Sequence, residues 1–264
     1  MKIIDLVKSL NKIVPKNIAL SFDNVGLLIG DYEDEVKGIY VSLDINNEII
    51  NYAIDNNINT IISHHPIIFN PMKEIVNSNN VQNKVRKCIS NNINIISFHT
   101  NLDAIVGGMN EYLVDFLCFD YKKIEILEIN PINSKCGIGR ILTLKDPLEY
   151  VHVIDKVKGK FNLDKLRCVN SNKNIIKRIC IINGSGNSMV RNCFNKDIDL
   201  IITGDITYHT AFDAIENGVN IIDVGHFTSE NLIYNNVMKN ILYDLNLNLN
   251  IQYDTILKDV YTYM

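Results

Sequence analysis

Apolar and polar positions follow two patterns along nearly the whole chain: short apolar runs, and segments with apolar residues at helical spacing. Short apolar runs predict buried strands at residues 38–45, 59–63, 93–98, 124–129, 137–144, 177–182, 200–203 and 219–224. Segments with apolar residues at helical spacing predict helices at residues 47–56, 81–91, 108–119, 147–158, 188–194, 207–217 and 229–245. This alternation of strands and helices predicts α/β layers with largely parallel strand pairing.

The stretch EINPINSKCGIGR, around Pro131, interrupts this rhythm and is the best candidate for a domain boundary. The last helix and the strand-like NIQYD segment are expected to return to the first half of the chain. We therefore predict a first α/β domain of residues 1–130 with 235–264, and a second of residues 131–234. No low-complexity linker separates the halves, so they are expected to pack closely.

Composition narrows the classes of function. The 264 residues are 47% hydrophobic and carry a formal net charge of −4, without a cluster of lysine and arginine. Binding to nucleic acid or to an anionic membrane therefore has little electrostatic support. The N-terminal segment predicts an amphipathic helix too often interrupted by charges for a signal sequence, and no apolar stretch has transmembrane length. A cytoplasmic location is expected, and the six scattered cysteines are expected to be buried, reduced thiols.

Histidines and carboxylates recur where the predicted strands end. Five of the six histidines lie just after a strand, and only His152 lies within a helical pattern. The polar residues at these ends are Ser63, His64, His65, His99, Asp103, Asp205, His209, Asp223, His226 and Glu230. One such histidine alone is more often a hydrogen-bonded loop residue than a ligand. Because parallel strands place their carboxyl ends at one edge of a sheet, the joint pattern predicts a ligand site there.

The spacing of these side chains favours two metal ions. Adjacent side chains in extended backbone point in opposite directions, so His64 and His65 are expected to serve neighbouring ions rather than chelate one ion together. Asp103 supplies an oxygen, and Glu230, four residues after His226, can bridge two cations. Three imidazoles and two carboxylates suit Zn²⁺, Mn²⁺ or Fe²⁺ and are too rich in nitrogen for a dedicated Ca²⁺ site. About three protein ligands per ion leave open positions, which favours catalysis over a structural role.

The motifs SHHPIIF, HTNLDA, GDITYH and DVGHFTSE, with SFDNVGLLIGD near the start, resemble one family over nearly the whole chain. That family is the dimetal proteins called GTP cyclohydrolase 1 type 2 homologues, or Nif-three-like proteins. The resemblance implies that His65, Asp103 and Glu230 hold one ion. It implies that His64 and His226 hold a second ion, with Glu230 shared between the two.

The resemblance also carries expectations about fold and assembly. The chain is similar to the short form of the family, which lacks a long central insertion, and has Phe22 where the family usually has Trp. The family pattern implies a homohexameric ring with the metal sites facing an internal cavity. The combined prediction is two interlinked α/β layers, with a dinuclear metal site at the C-terminal ends of strands between them.

The resemblance implies a reaction, whereas the residues themselves argue only for metal-activated water. The implied activity is hydrolysis of GTP at C8 of guanine with release of formate. Two alternatives stay open: hydrolysis of another nucleotide or phosphoester, and a metal-binding assembly protein without turnover. His99 and His209 are candidates for catalytic roles or for hydrogen bonding in polar loops. Gly184-Ser185-Gly186 gives a weak signal for phosphate binding and a better one for a tight strand-to-helix turn.

Overall fold

The structure is a computed structural model that describes residues 1–262. Its strands are β1 (Gly26–Ile29), β2 (Ile39–Ser42), β3 (Thr60–Ser63), β4 (Asn94–Ser97), β5 (Tyr121–Ile129), β6 (Gly137–Glu149), β7 (Arg167–Val169), β8 (Ile175–Ser185), β9 (Leu200–Gly204), β10 (Asn220–Asp223) and β11 (Ile251–Tyr253). Its α-helices are α1 (Ile3–Ile13), α2 (Asn47–Asp55), α3 (Asn80–Ser90), α4 (Thr100–Ala104), α5 (Met109–Leu117), α6 (Tyr150–Phe161), α7 (Val190–Cys193), α8 (Tyr208–Glu216) and α9 (His226–Asp244).

The chain forms two compact units, which are described separately. The first consists of Met1–Leu102 with Tyr234–Met264, and the second of Asp103–Ile233. The domain limits predicted near Pro131 stay a prediction. Among the described residues, every helix is too short or too polar to serve as a membrane span. The mixed α/β class predicted from the alternation of strands and helices is confirmed.

The sheet of the first unit has the strand order β1-β4-β3-β2-β11 in the described part of the chain. Strands β2, β3, β4 and β11 pair in parallel, and β1 runs antiparallel to β4. Ser63 lies level with both Ser42 and Ser97, so β2, β3 and β4 end at the same edge. The segments that follow these three strands therefore begin side by side. Strand β11, which lies in the NIQYD segment, pairs with β2 at one side of this sheet.

Helices α2 and α3 bury their apolar faces in the core of the first unit. Both helices begin after an asparagine whose side chain accepts a hydrogen bond from a backbone N–H of the first turn, which caps the helix. Strands β2, β3 and β4 are buried along their whole length. Strands buried on both faces read as continuous isoleucine-rich runs, which explains why the sequence predicts them well.

The sheet of the second unit has the strand order β5-β6-β8-β9-β10-β7 in the residues described. Only β8, β9 and β10 pair in parallel, whereas β5, β6 and β7 make antiparallel pairs. The expectation of largely parallel pairing is therefore wrong for this sheet. Strand β6 continues to Glu149, past the predicted limit, with an irregularity between Thr143 and Leu148. Pro147 lies at that irregularity, where a strand tolerates proline, and the helix begins only at Tyr150.

Candidate metal centre

Three imidazoles of the first unit converge where β3 and β4 end. His64, His65 and His99 each offer a ring nitrogen, and these nitrogens lie within 4.8 Å of one another. The ring centroids are 5.1 Å apart for His64 and His65, and 5.2 Å apart for His64 and His99. The chain bends at residues 64 and 65, so the strict alternation expected for extended backbone does not continue past Ser63. The bend places the two adjacent rings close together, contrary to the expectation of diverging side chains.

The tandem histidines are held through one edge of each ring. The Nδ1 atom of His64 lies 2.8 Å from the carbonyl oxygen of Phe98, and Nδ1 of His65 lies 2.9 Å from Oδ1 of Asp44. An oxygen acceptor at Nδ1 favours the tautomer protonated there, which leaves Nε2 as the ligand nitrogen. Metal-binding histidines are oriented in this way by carbonyl and carboxylate groups. The donor set of this unit therefore fits a transition-metal ion.

His99 is anchored by a buried carboxylate. Its Nδ1 atom lies 2.9 Å from Oδ1 of Asp23, and the backbone N–H of Thr100 donates to Oδ2 of the same carboxylate over 2.9 Å. Burial by itself raises the pKa of Asp23, but the hydrogen bonds from His99 and Thr100 outweigh it and lower the pKa to about 2. Asp23 is thus ionised at neutral pH, and its charge holds His99 in the imidazole cluster.

Tyr234 packs against His64 within the first unit. The two ring centroids are 5.3 Å apart, and the Tyr234 hydroxyl donates to the carbonyl oxygen of Ile62 over 3.1 Å. Burial raises the pKa of Tyr234 well above its ordinary value, so the hydroxyl stays protonated and able to donate. This residue lies inside the apolar pattern of α9, where the sequence offers no signal for a role beside the histidines.

Two buried carboxylates of the second unit share one amide donor. The side-chain nitrogen of Asn183 lies 2.9 Å from Oδ1 of Asp103 and 3.2 Å from Oε1 of Glu230. Asp103 is 8% exposed and Glu230 only 4%. A buried carboxylate is costly unless it is hydrogen-bonded or close to a cation, so Asn183 offsets part of this cost. Asn183 carries no signal in the sequence, because its partners are distant along the chain.

His226 and Glu230 form a close pair on α9. Their Nε2 and Oε2 atoms are 2.9 Å apart, as expected for positions i and i+4 of a helix. On the other edge of the ring, Nδ1 of His226 lies 2.7 Å from Oδ2 of Asp205. Asp205 therefore orients the imidazole. The start of α8 is capped by another residue, Thr207, whose side chain accepts from the N–H of Thr210.

The backbone around Gly184 leaves room for Glu230. Gly184 has φ +58°, and a Cβ atom at this position would lie 1.9 Å from Oε1 of Glu230. The N–H of Gly184 donates to Oγ of Ser229 over 3.1 Å, which ties β8 to the first turn of α9. The strand-to-helix turn was predicted too early in the chain, because Gly184 and Ser185 still belong to β8. This glycine allows the close approach of a carboxylate.

His209 lies on the exposed side of α8, and its ring centroid is 5.5 Å from that of Tyr208. Asp223 holds two loops in place by accepting hydrogen bonds from the backbone N–H groups of Ile206 and Gly225, each over 3.0 Å. These hydrogen bonds give Asp223 a structural role. The catalytic roles of His99 and His209 stay predictions.

One family model covers nearly the whole chain. The sequence model of Duf34/NIF3 (NGG1p interacting factor 3) matches residues 1–259. The chain belongs to the NIF3 family. A relative of 37% identity is the GTP cyclohydrolase 1 type 2 homolog of Clostridium perfringens, with 87% of each chain aligned. The homolog of the same name from Campylobacter jejuni is 35% identical over 87% of this chain and 88% of its own.

Solved structures of NIF3 relatives have the same fold. The Staphylococcus aureus hypothetical protein SA1388 superposes with a TM-score of 0.87 at 32% identity, over 100% of this chain and 99% of its own. A Bacillus cereus protein related to NIF3 gives a TM-score of 0.89 at 21% identity, over 100% of this chain and 99% of its own, and this likeness concerns the fold alone. The recognition of the family from its motifs is thus confirmed. The structure also contains groups of histidine and glutamate side chains that could hold a metal ion.

Proposed function

We propose that this chain is a dinuclear-metal-dependent hydrolase of the GTP cyclohydrolase type. Its metal ligands are the five residues identified by the family pattern: His64, His65, Asp103, His226 and Glu230. The observation that carries the proposal is that the tandem imidazoles of His64 and His65 are anchored through Nδ1, which leaves Nε2 for a metal. The Nδ1 atom of His226 is likewise held by Asp205, and its Nε2 atom faces the carboxylate of Glu230, another proposed ligand. The name shared by the relatives supports the choice of GTP.

The residues of the chain support metal binding in a specific way. Asp44 and Asp205 each fix one imidazole, and Asn183 fixes both carboxylates, so little side-chain entropy remains to be lost when ions bind. A mixture of imidazole nitrogens and carboxylate oxygens suits Zn²⁺, Mn²⁺ or Fe²⁺. Two such ions would supply Lewis acidity and lower the pKa of water towards neutrality.

The proposed reaction consumes two water molecules. The first adds to C8 of guanine and opens the imidazole ring, which leaves a formamide on the pyrimidine. The second hydrolyses the formamide and releases formate, with a free amine on the remaining nucleotide. His99, held by ionised Asp23, is proposed to accept or return a proton in these steps, and His209 is proposed to protonate a departing nitrogen.

Incubation of metal-loaded protein with GTP tests this function through the release of formate. We expect formate from wild-type protein, and none from Glu230→Gln, which keeps the shape of the side chain but loses its charge. Phosphate release from other nucleotides or phosphoesters, without formate from GTP, would favour a hydrolase of those substrates instead. A protein that binds metal but consumes no substrate would support an assembly or regulatory role instead.

The family resemblance also supports a cytoplasmic homohexamer as part of this proposal. Sedimentation velocity of the purified chain measures the assembly directly. A species with six times the mass of the 30.1 kDa chain is expected by resemblance to the family. A stable monomer at micromolar concentration would contradict this part of the proposal.

A further inference from the structure

The first unit contains a pocket beside its imidazole cluster. This cavity, called here the His65 pocket, has a volume of about 750 Å³, which falls in the range of small-molecule binding sites. Its walls come from the segments that follow β2 and β3, the loop of residues 66–79 and the first turns of α3. His65 lies on its wall, so a molecule in this pocket lies against one of the proposed metal ligands.

The loop that forms the outer wall is tied to α3 by polar contacts. Gln82, which is buried, accepts a hydrogen bond from the hydroxyl of Ser78 over 2.6 Å and another from the N–H of Val76 over 3.4 Å. The side chain of Asn79 accepts from the N–H of Gln82 over 3.0 Å and caps the helix. The wall is therefore an organised structure with its own hydrogen bonds.

Lys84 supplies a half-buried positive charge to the pocket. Its Nζ atom donates to the carbonyl oxygen of Ile45 over 2.7 Å, which uses one of the three N–H donors of the ammonium group. Lys73 and Glu74 also line the pocket but are exposed, so water and salt screen their charges more strongly. Asp44 lines it as well, and its carboxylate accepts from His65. The cation of Lys84 is therefore screened less than the charges of Lys73 and Glu74.

Phe69 provides an aromatic surface at the same place. It lines the pocket, it is 46% exposed, and its ring centroid lies 6.3 Å from that of His99. The ring of Phe22, 62% exposed, meets it edge to face with centroids 6.2 Å apart. An exposed ring next to an imidazole cluster offers a stacking surface for a planar heterocycle, because the π-face of every nucleobase can stack on it.

We propose that the His65 pocket binds the nucleotide substrate, with the Lys84 ammonium contacting a phosphate oxygen and the Phe69 ring contacting the base. The inference rests on the proposed function for the identity of the substrate, GTP. A cation and an aromatic ring that line one pocket select a compound that is both planar and anionic. Guanosine, which lacks phosphate, satisfies only the aromatic contact.

Equilibrium dialysis of the chelator-treated full chain against labelled GTP and labelled guanosine tests this inference without metal or turnover. Lys84→Met is expected to weaken GTP binding about tenfold, as for a lost charged hydrogen bond, and to leave guanosine binding unchanged. Phe69→Ala is expected to weaken both ligands about tenfold. Lys87→Met on the same helix and Phe212→Ala on α8 are matched controls that should bind both ligands like wild type.

Two further measurements keep the inference testable if Lys84→Met folds poorly. Lys84→Arg should retain GTP binding, and inorganic tripolyphosphate should displace GTP from wild-type protein. Failure of wild-type protein to bind GTP, or equal GTP affinity in Lys84→Met, would overturn the inference. A protein that binds GTP through Lys84 but releases no formate would reject the proposed function alone, whereas formate release with no effect of Lys84 would reject this inference alone.

Discussion

A Cβ atom added to Gly184 would lie 1.9 Å from Oε1 of Glu230, well inside van der Waals contact. The absence of a side chain at Gly184 therefore allows Glu230 to occupy its buried position beside Asn183. The segment Gly184-Ser185-Gly186, a weak signal for phosphate binding in the sequence, has a structural explanation. Gly184 accommodates the carboxylate of Glu230.

Gly184→Ala should displace Glu230 and lower both stability and metal content. The left-handed φ costs about 1 kcal/mol for alanine, and the clash adds about 1–3 kcal/mol in the free energy of unfolding. Gly218→Ala is the matched control, since Gly218 has φ +68° but no atom within 4 Å of the added Cβ. Urea unfolding and metal analysis of the two variants separate the effect of the clash, present only at Gly184, from the effect of backbone strain, present at both positions. Equal losses in the two variants would contradict the role assigned to Gly184.

Asp44→Asn should weaken metal binding although Asp44 is not itself a proposed ligand. The carboxylate accepts from Nδ1 of His65 over 2.9 Å, and such partners are typically worth about tenfold or more in metal affinity. Competition with a chromophoric chelator measures the affinity. Asp55→Asn, an exposed change on α2, should bind metal like wild type. Unchanged affinity in Asp44→Asn would show that His65 is oriented by other contacts.

Asp23 should make the stability of the metal-free protein depend on acid pH. Its pKa is lowered from an ordinary 3.8 to about 2 in the folded chain, so its stabilisation is complete above the unfolded pKa. This contribution, about 2 kcal/mol, is lost as pH falls from about 5 towards 2. Urea unfolding of chelator-treated protein should show Asp23→Asn less stable than wild type at pH 7, with a smaller difference at pH 3. Exposed Asp115→Asn is the control, and a pH-independent difference would contradict the assignment.

The cysteines should divide into two classes of reactivity. Cys118 and Cys168 are exposed, whereas Cys88, Cys136, Cys180 and Cys193 are buried, so the expectation that the thiols are buried holds only in part. Burial raises the pKa of Cys88 to about 12, which leaves almost no thiolate at pH 8. A thiol reagent should therefore modify Cys118 and Cys168 in the native chain and all six cysteines in urea. Rapid modification of Cys88 in the native chain would contradict its burial.

The sequence predicted strands best where both faces of the sheet are buried. The continuous apolar runs of β3 and β9 carry this signal, whereas β7 has only three residues, of which Arg167 and Cys168 are exposed. The antiparallel part of the second sheet was not predicted, because periodicity reports burial and not strand direction. Register and direction depend on pairing partners that are distant along the chain.

Of the candidate site, the sequence predicted the candidate ligands and missed the residues that position them. Histidines after strand ends are visible as a pattern, and the structure brings His64, His65 and His99 together. Asn183 lies 80 residues from Asp103, and Asp44 lies 21 residues before His65, so no local spacing connects these partners. Amides and carboxylates acquire such roles only through tertiary proximity, which a single sequence does not display.

Metal analysis of the purified chain tests the central claim most directly. Elemental mass spectrometry of wild-type protein is expected to find about two divalent transition-metal ions per chain, with a sharp fall in His64→Ala and Glu230→Gln. His152→Ala, which replaces the histidine outside the predicted site, should keep the wild-type metal content. Wild-type protein without bound metal after exposure to Zn²⁺, Mn²⁺ and Fe²⁺, or ligand variants that retain the full metal content, would contradict the account.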